Sequence, residues 1–325
     1  MNNRITTRNL TEGALMAGLS AILVLAGSFI PVLGVVMLLV CGLPITIVTV
    51  RNGSYLGGLS AIVVVLLLAI VVGPISAISC GLQFILIAWI FGWMFAHRKS
   101  AGKTISAGIV ASLLATVIIA LLSFALMGFS MDTLQTQMNG YMDEVIDMYE
   151  RTGVLEQMAG QGMSKVQFKE QMMQSMSAVM GLLPTILLLS SAASAIINYG
   201  ITIYILKRLK IKIPRMKPFK EFSFPNGAIW PIILIWALWL GRNYLNIGIL
   251  PIVVQNLFIL GCAVLFIQGL AVTAYWFNVP SMSLGMKIFT AFFVFFFFTG
   301  FIVSCVFMGL ADLLFDLRKL RKSEK

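Results

Sequence analysis

The feature that most constrains this chain is a series of long apolar segments that carry no charged residue. They fall at about residues 13–30, 33–50, 55–72, 75–95, 105–128, 181–206, 227–241, 249–277 and 288–311. About 20 apolar residues allow a helix to cross the ~30 Å hydrocarbon core of a bilayer. Backbone groups in lipid must be paired within the segment, so each crossing has to be helical. The sequence therefore predicts an all-α fold, a polytopic transmembrane helix bundle.

Composition agrees with this prediction. Hydrophobic residues make up 59% of the 325 residues and charged residues 11%, whereas soluble domains are nearer half apolar and a quarter charged. A membrane β-barrel would show short alternating strands, and residues 63–72 do not alternate. Arg4 and Arg8 precede the first run, but no small-residue cleavage site follows it. We interpret that run as a retained first helix and not as a signal peptide.

The net charge of +11 is distributed in short basic clusters between the apolar runs. This arrangement is typical of cytoplasmic loops and not of a nucleic-acid-binding face, so we expect no nucleic-acid partner. Over the first six runs, thirteen Lys and Arg residues fall on the side of the N-terminus, against three in the segment 129–180. The lipid bilayer is the expected environment: the bacterial cytoplasmic membrane, crossed several times with the N-terminus in the cytoplasm.

The C-terminal third leaves two topologies open. The run 227–241 is short and contains Pro231. If it only partly crosses the bilayer, the chain has eight full crossings and the basic tail stays inside; nine crossings is the alternative. The predicted organisation is a six-helix module at 1–206, a basic cytoplasmic linker at 207–225 and C-terminal transmembrane helices at 226–325.

The segment at about 129–180 is an insertion on the predicted outer side. Apolar residues recur at helical spacing in two stretches, 131–149 and 166–180, with carboxylates between them. This pattern predicts two amphipathic helices joined near Gly160 and Gly162. We expect them to lie on the outer membrane surface or to cap the helices below.

No catalytic or metal-binding pattern is visible. The four cysteines are scattered singly in apolar runs and His97 is the only histidine, so no structural zinc site can be assembled. The stretch from Ser100 to Thr104 resembles the end of a P-loop, but His97 stands where the first glycine is required. We therefore expect no enzyme activity, no catalytic residue, no metal and no cofactor.

Small residues on the first helix suggest close helix packing. Gly13, Ala17 and Ala21 follow one another at four-residue spacing, and such ridges let helices approach closely in lipid. Two readings stay open, namely packing within the bundle and docking of a partner membrane subunit.

Few polar residues lie within the apolar runs. Ser28, Ser76, Ser79 and Gln83 fall toward the predicted outer side and are candidates to line a cavity for a neutral ligand. Hydrogen bonding between packed helices is the alternative role.

Three stretches together resemble a known family. They are TEGALMAGLSAILVLAGSFIPVLG at 11–34, IQGLAVTAYWF at 267–277 and GLADLLFDLRK at 309–319. They resemble the YybS family of bacterial multi-pass membrane proteins, which is defined by a domain of unknown function. That family is distantly similar to the S components of energy-coupling-factor (ECF) transporters. S components have six helices, with both termini inside, and a small-residue ridge on the first helix that docks a coupling subunit.

The resemblance gives the residues at 13, 17 and 21 a docking role and makes 1–206 an S-component-like module. The chain departs from S components in the outer insertion and in the residues after Lys207. Two functions follow as hypotheses. The first is a substrate-binding or uptake subunit energised by other proteins, with a coupling protein as partner. The second is a non-transporting membrane scaffold or cell-envelope assembly factor, whose partner is an envelope protein.

Overall fold

The structure is a computed structural model that describes residues 6–30, 33–127, 131–153, 165–211, 218–241, 248–277 and 296–320, together with 283, 285, 286 and 292. In this part of the chain the regular structure is helical and contains no strand. The prediction of an all-α polytopic bundle is confirmed. The predicted joint at Gly160 and Gly162 lies outside the described residues.

Helices occur at each of the predicted apolar runs. Numbered in chain order, they are α1 (Thr7–Phe29), α2 (Leu33–Val40), α3 (Leu43–Asn52), α4 (Ser54–Val72), α5 (Pro74–Cys80), α6 (Leu86–Ala96), α7 (Ala101–Met127), α8 (Met131–Arg151), α9 (Lys165–Gly181), α10 (Leu183–Arg208), α11 (Ile229–Gly241), α12 (Leu250–Phe277) and α13 (Phe298–Phe315). The two amphipathic helices of the insertion are α8 and α9.

Seven helical segments within the described residues are long and apolar enough to cross a membrane, and two apolar helices, Val36–Asn52 and Ile229–Gly241, are shorter. The helix in the run 227–241 has 13 residues and rises only about 20 Å, and whether it crosses the bilayer partly or fully stays a prediction. The second predicted run is interrupted by a turn at Cys41 and Gly42.

The span from Pro74 to Ala96 is continuous but not uniform. Between α5 and α6, residues Gly81–Ile85 form a π-helical turn. Such turns insert one extra residue and change the direction in which the following side chains point. Gly81 fits here because a Cβ at this position would collide with the side chain of Val65.

The chain divides into two compact units. Unit 1 comprises residues 1–177 and 190–215, and unit 2 comprises 178–189 and 216–325. The boundary at 215 falls inside the predicted linker at 207–225. The short segment 178–189, which includes the start of α10, groups with the C-terminal helices and not with the predicted six-helix module.

Unit 1 is packed through small residues. Thr49 of α3 lies between two glycines, because a Cβ on Gly57 of α4 or on Gly92 of α6 would collide with its side chain. Thr46 donates a hydrogen bond to the carbonyl of Ala88 at 2.9 Å. These close approaches hold α3 against both neighbouring helices, which compensates for its short length.

Unit 2 is built on an antiparallel pair of helices, α12 and α13. A Cβ on Gly269 would collide with the carbonyl of Cys305, and one on Gly309 would collide with the carbonyl of Leu265. The two glycines therefore allow backbone-to-backbone contact in the bilayer. Leu265 and Leu313 form the buried core beside this contact, together with Ile229 and Ile232 of α11.

Candidate functional sites

The four predicted ligand residues do not line either of the two cavities considered below. Ser28 and Ser76 are exposed, and the hydroxyl groups of Ser28 and Ser79 donate to carbonyls one turn earlier in their own helices, at 2.9 Å each. Gln83 lies in the π turn and bonds to Ser112 and Thr116 of α7. For Gln83 the arrangement corresponds to hydrogen bonding between helices, which was the alternative reading.

The predicted docking ridge is buried inside unit 1. Ala17 is 0% and Ala21 5% exposed, and both belong to the core formed with Val64 and Leu68 of α4. The carbonyl of Gly13 accepts a hydrogen bond from Ser60 at 3.2 Å. The ridge therefore packs α1 against α4, and these three residues offer no open surface to a partner. Periodicity in the sequence could not distinguish this packing role from docking.

The outer insertion forms a helical hairpin whose inner faces pack together. The rings of Tyr149 in α8 and Phe168 in α9 meet edge to face with centroids 5.6 Å apart. Lys169 forms an ion pair with Asp143 at 2.8 Å. Met142 and Ile146 of α8 are buried, at 6% and 3% exposure. We refer to α8 and the part of α9 up to residue 177 as the hairpin.

The outer faces of the hairpin carry the same pattern twice. On α8 the pattern is Tyr141, Glu144 and Met148, and on α9 it is Val166, Glu170 and Met173. Residues three, four and seven apart share one helix face. The apolar members are 65%, 54%, 68% and 48% exposed in chain order, and both glutamates are exposed. Each of these two outer stripes is thus an apolar surface interrupted by a carboxylate.

A buried ion pair lies at the end of the last helix in unit 2. The guanidinium of Arg318 is 2.8 Å from the carboxylate of Asp312, and the two side chains are 0% and 3% exposed. Gln268 of α12 donates to the same carboxylate at 2.6 Å. The glycine contacts between α12 and α13 bring these two helices close enough for this bond, since Gln268 adjoins Gly269 and Asp312 follows Gly309 by three residues.

The same network fixes the segment before α11. Arg318 donates to the backbone carbonyls of Lys220 and Phe222 at 2.8 and 2.9 Å. Gln268 donates to the hydroxyl of Ser223 at 3.1 Å and accepts from the backbone N–H of Phe224 at 3.1 Å. Among the described residues, the charge pair is bonded by Gln268 and by the backbone carbonyls of Lys220 and Phe222. The network therefore holds residues 220–224 against α12 and the turn that follows α13.

A second charged cluster lies in unit 1, where α1 begins and α3 ends. Glu12 accepts hydrogen bonds from Arg51 at 3.3 Å and from Asn52 at 3.2 Å. Arg8 lies one helical turn before Glu12, and the residues of this cluster border an open cavity of about 700 Å³. Sequence reasoning missed this pair. The signal that could have found it is that Glu12 is the one carboxylate before residue 132.

Among the described residues, no three His, Cys, Asp or Glu side chains gather where they could hold a metal ion. The helices and their internally paired polar groups define a polytopic α-helical membrane protein. A family model described as "Predicted membrane protein (DUF2232)" matches residues 18–313, and the chain belongs to this family. The resemblance predicted from the three sequence stretches is confirmed.

One curated relative is the "Uncharacterized protein YybS" of Bacillus subtilis (strain 168). It is 28% identical over 272 residues, which cover 82% of this chain and 83% of that protein. No solved structure matches the chain. Neither comparison shows the similarity to ECF S components, and it stays a prediction.

Proposed function

We propose that this protein is a non-catalytic scaffold of the bacterial cytoplasmic membrane that acts by binding a partner protein. One observation carries the proposal: the hairpin exposes two apolar stripes outside the predicted spans, although Met142 and Ile146 on another face of α8 are buried. An apolar surface rimmed by charged residues is the usual mark of a protein interaction site.

The charges on the hairpin indicate the chemistry of the partner. Glu144 and Glu170 lie within the stripes, and Asp147 is exposed beside them on α8. Headgroups of an anionic membrane would be repelled by this surface, whereas a protein that presents an apolar ridge flanked by Lys or Arg would be complementary. The occupant we propose is such a protein, located on the outer side of the membrane.

Distribution of charge in unit 1 supports the orientation with the N-terminus inside. Leu206 near the end of α10 and Phe95 near the end of α6 belong to one buried cluster, and Ala101 at the start of α7 packs against that cluster. The basic residues that follow or precede these positions therefore share one end of the unit; they are Arg98, Lys99, Lys103, Lys207 and Arg208. Basic loops of this kind remain in the cytoplasm.

Site-specific photocrosslinking tests the scaffold function. A photoreactive amino acid replaces Met148 or Met173 in the full-length chain, expressed in the native bacterium, with Ile146 as the buried control. We expect one discrete protein adduct from both exposed positions and none from position 146. The yield of the adduct should decrease at high salt, because salt screens the attraction between opposite charges. The screening length falls from about 8 Å at physiological ionic strength to about 3 Å at 1 M.

The adduct must also depend on the surface that the proposal names. A Glu144→Lys, Glu170→Lys variant should lose it, whereas an Asp143→Asn variant, which alters only the exposed ion pair with Lys169, should retain it. Adducts that contain lipid alone would show that the hairpin lies on the membrane surface and would contradict the scaffold proposal.

The uptake function retains one observation in its favour. A cavity of about 10 Å³ in unit 1 has a mainly apolar lining that includes Phe91, with three polar side chains, those of Thr46, Asn198 and Thr202. It has room for about one water molecule, so a substrate would require the helices to separate. A co-purifying small molecule, lost on Asn198→Leu, would favour this second function over the scaffold.

A further inference from the structure

We infer that the open cavity between the start of α1 and the end of α3 binds the phosphate headgroup of an anionic phospholipid. The cavity measures about 700 Å³ and its lining includes Arg8, Glu12, Leu15, Arg51 and Asn52. We call it the α1–α3 groove. It is separate from the hairpin, and the inference does not depend on the proposed scaffold function.

The groove has a net positive charge. Two guanidinium groups border it, and Glu12 is the one carboxylate in its lining. Both oxygens of Glu12 are engaged, one by Arg51 and the other by Asn52. Arg8 makes no ion pair among the residues that the structure describes, so its charge is available to an anion.

The backbone adds to this positive potential. α1 extends over 23 residues and has no acidic residue in its first turn, so the positive end of its dipole is not offset by a carboxylate side chain there. Arg8 lies within that first turn. Because a guanidinium presents several N–H donors in a planar fork, it suits the oxygens of a phosphate group well.

The part of the groove that lies further along α1 is apolar and suits a lipid better than a soluble phosphate. Leu15 lies seven residues after Arg8, which is about 10 Å further along the helix, and its side chain is 70% exposed. Met16 lies beside it in the lining. A phosphodiester held at Arg8 and Arg51 would place the acyl chains of the same molecule along Leu15.

Native mass spectrometry of the full-length protein in mild detergent tests the inference. Phosphatidylglycerol is titrated against the wild type and against Arg8→Gln, which removes a charge without breaking an ion pair. We expect one tightly bound lipid and at least a tenfold weaker affinity in the variant. The matched control is Arg98→Gln, which removes an exposed charge at a loop outside the groove and should leave the affinity unchanged.

A second pair of measurements separates the two sources of phosphate. Leu15→Gln should weaken phosphatidylglycerol binding, and millimolar inorganic phosphate should not displace the lipid. Displacement by inorganic phosphate, with no effect of Leu15→Gln, would overturn the lipid assignment. Equal losses of affinity in Arg8→Gln and Arg98→Gln would show only a general charge effect and would also overturn it.

Discussion

The carboxylate of Asp312 lies 2.8 Å from the guanidinium of Arg318, and both side chains are withdrawn from the surface. Asp316 makes this possible, because it adopts a left-handed conformation with φ 49° and ends α13 there. The chain then folds back by one turn, and the residue at 318 returns to the level of 312. Aspartate tolerates this conformation better than most residues because its short side chain can bond locally.

Breaking the buried pair should destabilise unit 2. In Arg318→Ala the carboxylate of Asp312 stays buried without its cation, which typically costs about 3–5 kcal/mol. We expect the midpoint temperature of thermal unfolding to fall clearly. Size-exclusion chromatography in detergent after heating measures this midpoint. Lys319→Ala serves as the control because Lys319 is exposed. The double variant Asp312→Leu, Arg318→Met leaves no unpaired buried charge and should be less destabilised than Arg318→Ala, although Gln268 and the carbonyls of Lys220 and Phe222 lose their partners. A larger loss than in Arg318→Ala would contradict our account of the pair.

The glycine contact between α12 and α13 should be intolerant of a single methyl group. Gly269→Ala and Gly309→Ala each force a Cβ into a carbonyl of the facing helix, and overpacking of this kind costs about 1–3 kcal/mol. Gly261→Ala on the same helix is the matched control, since its Cβ would lie 3.8 Å from the nearest atom, in Trp236. Thermal unfolding in detergent measures the difference. Equal stability of all three variants would show that the helices are not in backbone contact.

Asn256 holds the start of α10 to α12. Its amide oxygen accepts from the hydroxyl of Thr185 at 2.6 Å, and its amide nitrogen donates to the carbonyl of Gly181 at 2.7 Å. Hydrogen bonds between membrane helices contribute about 0.6 kcal/mol on average and up to about 1.7. We therefore expect Asn256→Leu to lower the free energy of unfolding by the average contribution of one to two such hydrogen bonds. Thr185→Val should lower it by less. A larger effect of Thr185→Val would contradict this assignment.

Cysteine accessibility measures the proposed orientation. Cys80, Cys262 and Cys305 lie within candidate membrane spans, and Cys41 is buried in the turn between α2 and α3. New cysteines at exposed Ser100 and Ser175 can therefore be compared with the parent chain. With the N-terminus inside, a membrane-impermeant maleimide should label Ser175→Cys on intact cells and Ser100→Cys only after lysis. The reverse pattern would invert the topology.

The positions of the helices were accessible from sequence because lipid imposes a strong constraint on backbone pairing. The interruption at Cys41 and Gly42 and the π turn at Gly81–Ile85 were not, since both depend on neighbouring helices and leave the apolar pattern unbroken. The role of Asp312 as a carboxylate near a basic residue could be inferred from spacing. Its bond to Gln268 could not, because those residues are 44 positions apart.

The candidate sites likewise combine features that the sequence predicts with features that depend on neighbouring helices. Amphipathic periodicity predicted the two helices of the hairpin, but it could not show that Met148 and Val166 would be exposed while Met142 and Ile146 are buried. The sequence identified the small-residue ridge at Gly13, Ala17 and Ala21 but left open whether it packs within the bundle or docks a partner subunit. Only the position of α4 shows that the ridge is internal.

The bonds between Thr185 and Asn256 also set an order of events during biosynthesis. The two residues are 71 positions apart in the chain, and translation proceeds at roughly 5–20 residues per second. Thr185 therefore leaves the ribosome roughly 4 to 14 seconds before its partner. During that interval the start of α10 must be tolerated by the insertion machinery or by lipid with this hydroxyl unpaired. Completion of this contact belongs to a late step of assembly, after the helix itself has already been inserted.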